Sequence, residues 1–152
     1  MLNLINKLKT YFKQEVFLLT DIEDVMTKKI NKINPGASVF EAAKKLEKNK
    51  YSCLIVMEKD KIKGIVTERD IVCKYVAKKR DISDKKNIKV GDIMSSPLIT
   101  LSLDETKNIL DAIVRMNRYQ IKKLGITKNG KLVGLLCEEL LSGFCLGIKN
   151  KS

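Results

Sequence analysis

Two short motifs each occur twice in this chain, in the same order and at nearly the same spacing. Asp24-Val25-Met26 returns 68 positions later as Asp92-Ile93-Met94. Lys63-Gly64-Ile65-Val66 returns 70 positions later as Val133-Gly134-Leu135-Leu136. Self-similarity at a fixed offset indicates a duplicated structural unit. The 152-residue chain is therefore predicted to hold two copies of one unit of about 65 residues each.

Between the two motifs, both copies show the same order of patterns: strand, helix, two strands, helix. In the first copy, Ser38 and Glu41 have the spacing of a capping box, and Thr106 is predicted to be the matching cap in the second copy. Asn129-Gly130 predicts a hairpin turn, because both residues tolerate positive φ. The expected strands are 30–33, 53–57 and 62–66 in the first copy and 98–101, 123–127 and 131–136 in the second. The first helix of each copy follows its cap, and the second helices are expected at 68 to about 77 and 138 to about 146.

The formal charge of +12, from 30 basic and 18 acidic residues, favours anionic partners such as nucleic acid or phosphorylated ligands. The basic residues are spread along the chain, which favours a solvated lysine-rich surface over a nucleic-acid stripe. The chain has no His, and its four cysteines form no Cys-x-x-Cys pair. We therefore expect buried, reduced thiols at Cys53, Cys73, Cys137 and Cys145, and no zinc site.

No signal peptide or membrane-spanning stretch is visible, so a soluble, cytoplasmic protein is expected. Residues 1–20 are predicted to form a basic amphipathic helix, with its apolar positions at Leu2, Ile5, Leu8, Phe12 and Val16. Such a helix can lie on an anionic membrane, but packing on its own domain or on a dimer partner is the favoured outcome. Residues 149–152 are expected to be a frayed tail.

A tandem β-α-β-β-α unit that begins with Asp24-Val25-Met26-Thr27 and leaves its second strand as Gly-Ile-Val-Thr-Glu-Arg-Asp (64–70) resembles the CBS domain pair. The resemblance covers about residues 21–148. It implies an α/β (α+β) fold in which two CBS units, 21–80 and 90–148, pack sheet to sheet as a pseudo-two-fold pair. Residues 81–89 would be the linker.

In that family, clefts between the units bind AMP, ADP, ATP or S-adenosylmethionine, and the pattern Gly-h-x-Thr-x-x-Asp (h apolar) marks a competent cleft. Residues 64–70 match this pattern completely. The resemblance implies that Asp70 accepts hydrogen bonds from the two ribose hydroxyls, and that Thr67 meets the ribose or a phosphate at a helix N-terminus. The alternative is that Thr67 is an ordinary N-cap and Asp70 a first-turn carboxylate.

The resemblance adds contributions from the second unit, because the family completes each cleft with residues of the other copy. Lys122 and Lys123 would then place positive charge near phosphates, although solvated lysines are an equal alternative. The chain departs from the family's Leu-Pro-Val at Gly125. The predicted ligand-binding residues are Ile65, Val66, Thr67, Arg69, Asp70, Leu98, Thr100, Ile121, Lys122 and Lys123.

The mirror-image cleft is predicted to be degenerate. Cys137 stands where Thr67 does in the first copy, and Leu140 stands where Asp70 does. Leu cannot accept a ribose hydroxyl, and neighbouring Glu138 and Glu139 would repel phosphate while pointing elsewhere on the helix. The remaining walls would be Asn31, Lys32, Tyr51 and Ser52. One adenosyl ligand per chain is therefore expected.

The sequence carries no catalytic constellation: it has no His and no Gly-rich phosphate loop. We therefore predict a regulatory binding module rather than an enzyme, with no required cofactor or metal. It would act as an energy-sensing homodimer, through its CBS pairs, on an unknown protein target. Two alternatives remain, a nucleic-acid-binding protein and a ligand-free dimerisation module.

Overall fold

The computed structural model describes residues 19–48, 53–78 and 88–145. Four predictions therefore lie wholly or mostly outside the described residues. They are the N-terminal amphipathic helix (1–20), the linker (81–89), the tail (149–152) and the degenerate-cleft residues Tyr51 and Ser52.

The first repeat begins with a short helix that was not predicted, and it then has the predicted order of strand, helix, two strands and helix. Its elements are α1 (Ile22–Val25), β1 (Lys32–Ile33), α2 (Val39–Glu47), β2 (Cys53–Glu58), β3 (Lys61–Thr67) and α3 (Glu68–Asp70), which continues as the π-helix Ile71–Val76. The second repeat has α4 (Val90–Ile93), β4 (Thr100–Ser102), α5 (Ile109–Tyr119), β5 (Lys123–Lys128), β6 (Lys131–Cys137) and α6 (Glu138–Cys145). The mixed α+β class is confirmed.

Each repeat contributes one three-stranded sheet, ordered β1-β2-β3 and β4-β5-β6. In each sheet the first strand runs parallel to the second, and the second pairs with the third as an antiparallel hairpin. Positive φ angles at Asn129 (51°) and Gly130 (72°) confirm the predicted hairpin turn. The first repeat makes its equivalent turn at Lys59 (46°) and Asp60 (61°), which lack the Asn-Gly signal.

The compact units of the structure are not the sequence repeats. Residues 30–98 form one unit, called here the Asp70 unit, and the described residues of 1–29 and 99–152 form the other, called the Leu140 unit. The repeats exchange the segments that carry their Asp-x-Met motifs, so each motif lies in the unit that holds the other repeat's sheet. Thr27, just after the first motif, exchanges backbone hydrogen bonds of 3.0 and 2.9 Å with Leu135 in the Leu140 unit. Ser95, just after the second motif, pairs with Ile65 at 2.9 and 2.8 Å in the Asp70 unit.

The N-terminus of α2 confirms one predicted cap, and that of α5 corrects another. The Ser38 hydroxyl accepts from the Glu41 N–H at 3.1 Å. In the second repeat the cap is Asn108, whose side-chain oxygen accepts from the Leu110 N–H at 2.8 Å. The prediction of Thr106 as the cap was wrong, because Thr106 lies two residues before the cap and its hydroxyl accepts from the Asn108 N–H.

The apolar interior follows the predicted periodicity, but the cysteines divide. The Asp70 unit packs a cluster of aliphatic side chains: Ile33, Val39, Ala42, Leu46, Leu54, Val56, Val66, Ile88, Val90 and Ile93. Cys53 and Cys137 are buried, whereas Cys73 and Cys145 are exposed, and none of these four described cysteines forms a disulfide. The prediction that all four thiols are buried was therefore wrong for Cys73 and Cys145, because the second helix of each repeat presents these positions to solvent.

The helices in the part of the chain that the structure describes are too short, or too polar, to cross a lipid bilayer. Among these same residues, no cluster of three or more His, Cys, Asp or Glu side chains could hold a metal ion.

Candidate functional site

The best candidate site lies where β3 ends and α3 begins, at Thr67 and Asp70. Thr67 is the N-cap, and its hydroxyl accepts from the Asp70 N–H at 3.3 Å. In return, Asp70 Oδ2 accepts from the Thr67 N–H at 2.9 Å and from the Thr67 hydroxyl at 2.7 Å. This is a complete capping box, so one carboxylate oxygen of Asp70 serves the local fold.

The other carboxylate oxygen, Oδ1, faces partners from outside the cap. Lys74, one turn further on, places its Nζ 2.6 Å away. The Ser95 hydroxyl donates to the same oxygen at 3.2 Å. Both partners are side chains with rotamer freedom, whereas the partners of Oδ2 belong to the cap itself. Oδ1 is thus the oxygen that can exchange partners.

Ser95 is held beside Asp70 by the exchanged Asp-x-Met segment. Its backbone pairs with Ile65 in β3, and Gly64 lets the segment approach closely. A Cβ on Gly64 would collide with the Ser95 carbonyl oxygen. The Lys74 ammonium also donates to the Ile93 carbonyl oxygen at 2.9 Å, at the end of α4. The carboxylate therefore connects β3, the π-helix and the exchanged segment.

Asp70 is one of the few buried ionisable groups among the described residues, with 7% of its surface exposed. Burial raises the pKa of the Asp70 carboxyl. The hydrogen bonds from Lys74 and Thr67 and the positive charge of Lys74 together lower it by more, so the net pKa lies below its usual value. The ionised form is therefore the one that the fold stabilises.

This lowered pKa predicts an acid-sensitive contribution to stability. A carboxyl whose pKa is lower in the folded chain stabilises it above the unfolded-state value, near 3.8, and this contribution is lost as the pH falls through the folded-state value. In urea unfolding, Asp70→Asn should be less stable than wild type at pH 6, and the gap should narrow by pH 3. A gap that is equal at both pH values would contradict the assigned ionisation.

The corresponding place in the Leu140 unit has the same backbone pairing, but Cys137 and Leu140 replace Thr67 and Asp70. Thr27 pairs with Leu135 as Ser95 pairs with Ile65. Cys137 ends β6 with 0% exposure, and Leu140 is 3% exposed. An apolar side chain therefore satisfies this position of the fold, and the carboxylate of Asp70 is not required for packing.

The structure divides the remaining predicted ligand residues between the two units. The Asp70 unit holds Ile65 and Val66, which are buried in β3, exposed Arg69 at the start of the helix, and buried Leu98. The Leu140 unit holds half-buried Thr100 and Ile121, exposed Lys122 and half-buried Lys123. Of the predicted degenerate-cleft residues, Lys32 is exposed on β1.

Lys122 and Lys123 are ion-paired, which neither the phosphate interpretation nor the solvated-lysine alternative anticipated. Lys122 Nζ lies 2.7 Å from Glu138 Oε2. Lys123 Nζ lies 2.5 Å from both carboxylate oxygens of Glu139. The adjacent glutamates at the start of α6 therefore face the lysines across the end of β5. A phosphate would have to compete with these carboxylates for the two ammonium groups.

Lys74 and Ser95, which both contact Oδ1 of Asp70, are absent from the sequence prediction. A signal for Lys74 was present, because it follows Asp70 by four positions and such pairs share a helix face. Ser95 gave no comparable signal, because its approach depends on the exchange of the Asp-x-Met segment between repeats.

The family model described as CBS domain matches residues 22–76 and 90–141. The CBS domain-containing protein YhcV of Bacillus subtilis is 28% identical over 118 residues, a match that covers 78% of this chain and 80% of that protein.

Two solved structures have closely similar folds. An uncharacterized conserved protein from Pyrococcus horikoshii superposes with a TM-score of 0.72 at 25% identity, covering 89% of this chain and 96% of that one. The CBS domain pair of protein MJ0100, solved in complex with 5-methylthioadenosine and S-adenosyl-L-methionine, gives 0.69 at 24% identity, covering 82% of this chain and 98% of that one.

Proposed function

Because the chain belongs to the CBS-domain family, we propose that it is a non-catalytic regulatory module that binds one adenosyl ligand per chain at Asp70. AMP, ADP, ATP and S-adenosylmethionine are the candidate ligands. The observation that carries the proposal is the buried Asp70 carboxylate, which occupies a position that Leu140 fills in the other unit.

Burying a carboxylate is costly, even when it is paired, whereas a leucine at the same position stabilises the fold by burial. A buried charge that packing does not require is a candidate for binding. The division of labour between the two oxygens supports this role. Oδ2 of Asp70 maintains the cap, so the helix start survives while Oδ1 exchanges its partners.

A ribose matches this exchange chemically. Its two adjacent hydroxyls are hydrogen-bond donors, as are the Ser95 hydroxyl and the Lys74 ammonium that Oδ1 contacts now. Replacing two donors by two donors leaves the carboxylate satisfied. The bound complex of MJ0100 supports the choice of ligand class, because a chain of the same fold holds two adenosyl compounds.

The contributions of Leu98, Thr100, Ile121, Lys122 and Lys123 remain predictions from the family resemblance. The glutamates that pair with the two lysines weaken their attraction for phosphate, so we expect no strong preference for ATP over AMP. The mirror-image position, with Cys137 and Leu140 buried and apolar, is proposed to bind no ribose.

Regulation requires that the bound and free conformations differ in affinity for a target protein. A homodimeric state, a cytoplasmic location and the target itself belong to this proposal. The strong positive charge leaves nucleic-acid binding as the rival function, and that rival predicts steeply salt-dependent binding.

Calorimetric titration of the purified protein with AMP, ADP, ATP and S-adenosylmethionine tests the proposal. We expect binding of at least one of these compounds with a stoichiometry of one per chain. Mass spectrometry of any small molecule released on denaturation provides an independent measurement. A stoichiometry of two, or no binding of any of the four by nucleotide-free protein, would contradict the proposed function.

A further inference from the structure

The Lys74 side chain makes three contacts with separate parts of the Asp70 unit. Its ammonium lies 2.6 Å from Asp70 Oδ1, 2.9 Å from the Ile93 carbonyl oxygen and 3.1 Å from the Ser95 hydroxyl. An ammonium group has three hydrogens to donate, so these contacts use its full capacity. Lys74 therefore occupies one defined position beside the carboxylate.

The repeat that has the Asp70 carboxylate also has Lys74, and the other repeat has neither charged residue at the equivalent positions. Counting 70 positions on from Asp70 and Lys74 gives Leu140 and Phe144. The charged pair of one repeat is thus an apolar pair in the other. The Lys74 side chain is 38% exposed, whereas that of Asp70 is 10% exposed. The lysine can therefore move into water, while the carboxylate stays in place.

Lys74 belongs to a π-helical segment, Ile71–Val76, rather than to a regular α-helix. The Ala77 N–H donates to the Val72 carbonyl oxygen at 2.8 Å, which is the i to i+5 pattern. Such segments are often found at functional sites in α-helices. The helix that carries Lys74 therefore differs from an ordinary surface helix both in its partly buried ion pair and in its π-helical hydrogen bonding.

We propose that Lys74 is an internal competitor for the Asp70 carboxylate, an autoinhibitory contact that a ribose must displace to bind. The inference rests on the proposed function, and it adds the regulation of that site. A ribose hydroxyl needs the Oδ1 lone pair that the ammonium now uses. When Lys74 leaves, the Ile93 carbonyl oxygen and the Ser95 hydroxyl lose the same hydrogen-bond partner. Ligand binding at Asp70 therefore changes the contacts of the exchanged segment as well.

The test compares adenosine binding by wild type and by Lys74→Met. Adenosine carries no phosphate, so removal of a positive charge does not change an attraction between ligand and lysine. Methionine keeps an unbranched apolar side chain and removes the ammonium. Because a charge-assisted hydrogen bond to Asp70 is no longer displaced, we expect adenosine to bind about tenfold more tightly to Lys74→Met.

Lys45→Met is the matched control, because Lys45 forms the same type of i,i+4 pair with Glu41 on an exposed helix face. It should bind adenosine as wild type does. Lys74→Arg retains a cation beside the carboxylate and should also keep wild-type affinity. Circular dichroism establishes that each variant is folded before titration.

The outcomes separate this inference from the proposed function. Tighter binding by Lys74→Met, including binding where wild type shows none, supports the autoinhibitory contact. If wild type binds adenosine and Lys74→Met binds equally well or more weakly, the inference is overturned and the proposed function stands. If none of the folded variants binds adenosine, the inference is overturned, and the titrations with AMP, ADP, ATP and S-adenosylmethionine decide the proposed function separately.

Discussion

Replacing Asp70 by leucine should reduce the affinity for adenosyl ligands by about 100-fold while leaving the chain folded. Two ribose hydroxyls would lose their acceptor in a water-poor site, at about 1–3 kcal/mol each. A loss of 100-fold corresponds to about 2.7 kcal/mol in total, which lies in the lower half of the combined range of about 2–6 kcal/mol. The fold should tolerate the change, because Leu140 occupies the same position in the other repeat with 3% exposure. Calorimetric titration with adenosine measures the effect.

Asp92→Leu is the control for this substitution. Asp92 is another first-turn carboxylate of the Asp70 unit, and it accepts from the Lys89 N–H at 2.8 Å as part of the α4 cap. Its substitution removes a capping carboxylate without touching Oδ1 of Asp70, and the affinity should stay at the wild-type value. Wild-type binding by Asp70→Leu would show that Asp70 does not hold the ribose.

Gly64→Ala should destabilise the chain by about 2–3 kcal/mol, within the upper part of the range for overpacking. The added Cβ would collide with the Ser95 carbonyl oxygen, which accepts from the Ile65 N–H at 2.9 Å and cannot retreat without breaking that bond. The clash also displaces Ser95 from Asp70. Urea unfolding measures the change in free energy.

The second repeat supplies the matched comparison in Gly134→Ala. There the nearest atom to an added Cβ is the Met26 sulfur, at the end of a flexible side chain, and the Thr27 carbonyl oxygen lies at 3.1 Å. Because a methionine side chain can move aside, the expected loss is about 1 kcal/mol or less. Equal losses for the two alanine variants would argue against a rigid approach of Ser95 to β3.

The sequence was sufficient to predict most of the elements, because local patterns determine them. The duplicated motifs and the Asn129-Gly130 turn predicted both hairpins, and Ser38 predicted the start of α2. The error at Thr106 has a local cause. Thr106 and Asn108 are both residue types that favour the N-cap, and only the repeat offset of 70 from Ser38 distinguishes Asn108 as the equivalent position.

What the sequence could not provide is contact between residues that are distant in the chain. The approach of Ser95 to Asp70 spans 25 positions, and it depends on the Asp-x-Met segment joining the other repeat's sheet. The pairing of Lys123 with Glu139 likewise depends on the register of β5 against β6. Neither partner choice follows from periodicity or propensity, since Ser, Asp, Lys and Glu are all residue types that are mostly exposed.

The sequence offered two roles for Thr67 and Asp70, a helix cap and a ligand site. In the structure these two roles involve different oxygens of the Asp70 carboxylate. The capping alternative is satisfied by Oδ2, through the Thr67 N–H and hydroxyl. The binding proposal concerns Oδ1, which Lys74 and Ser95 occupy. Both roles can coexist on one carboxylate, so observation of the cap does not count against a ligand.

The most direct test of a single ribose site is residue-resolved NMR of the ¹⁵N-labelled protein during titration with adenosine. If adenosine binds at Asp70, the amide signals of Thr67, Asp70, Lys74 and Ser95 should shift together and saturate at one adenosine per chain. The signals of Cys137 and Leu140 should stay in place over the same range. Shifts centred on Cys137 and Leu140, with the signals of Thr67 and Asp70 unmoved, would contradict a single ribose site at Asp70.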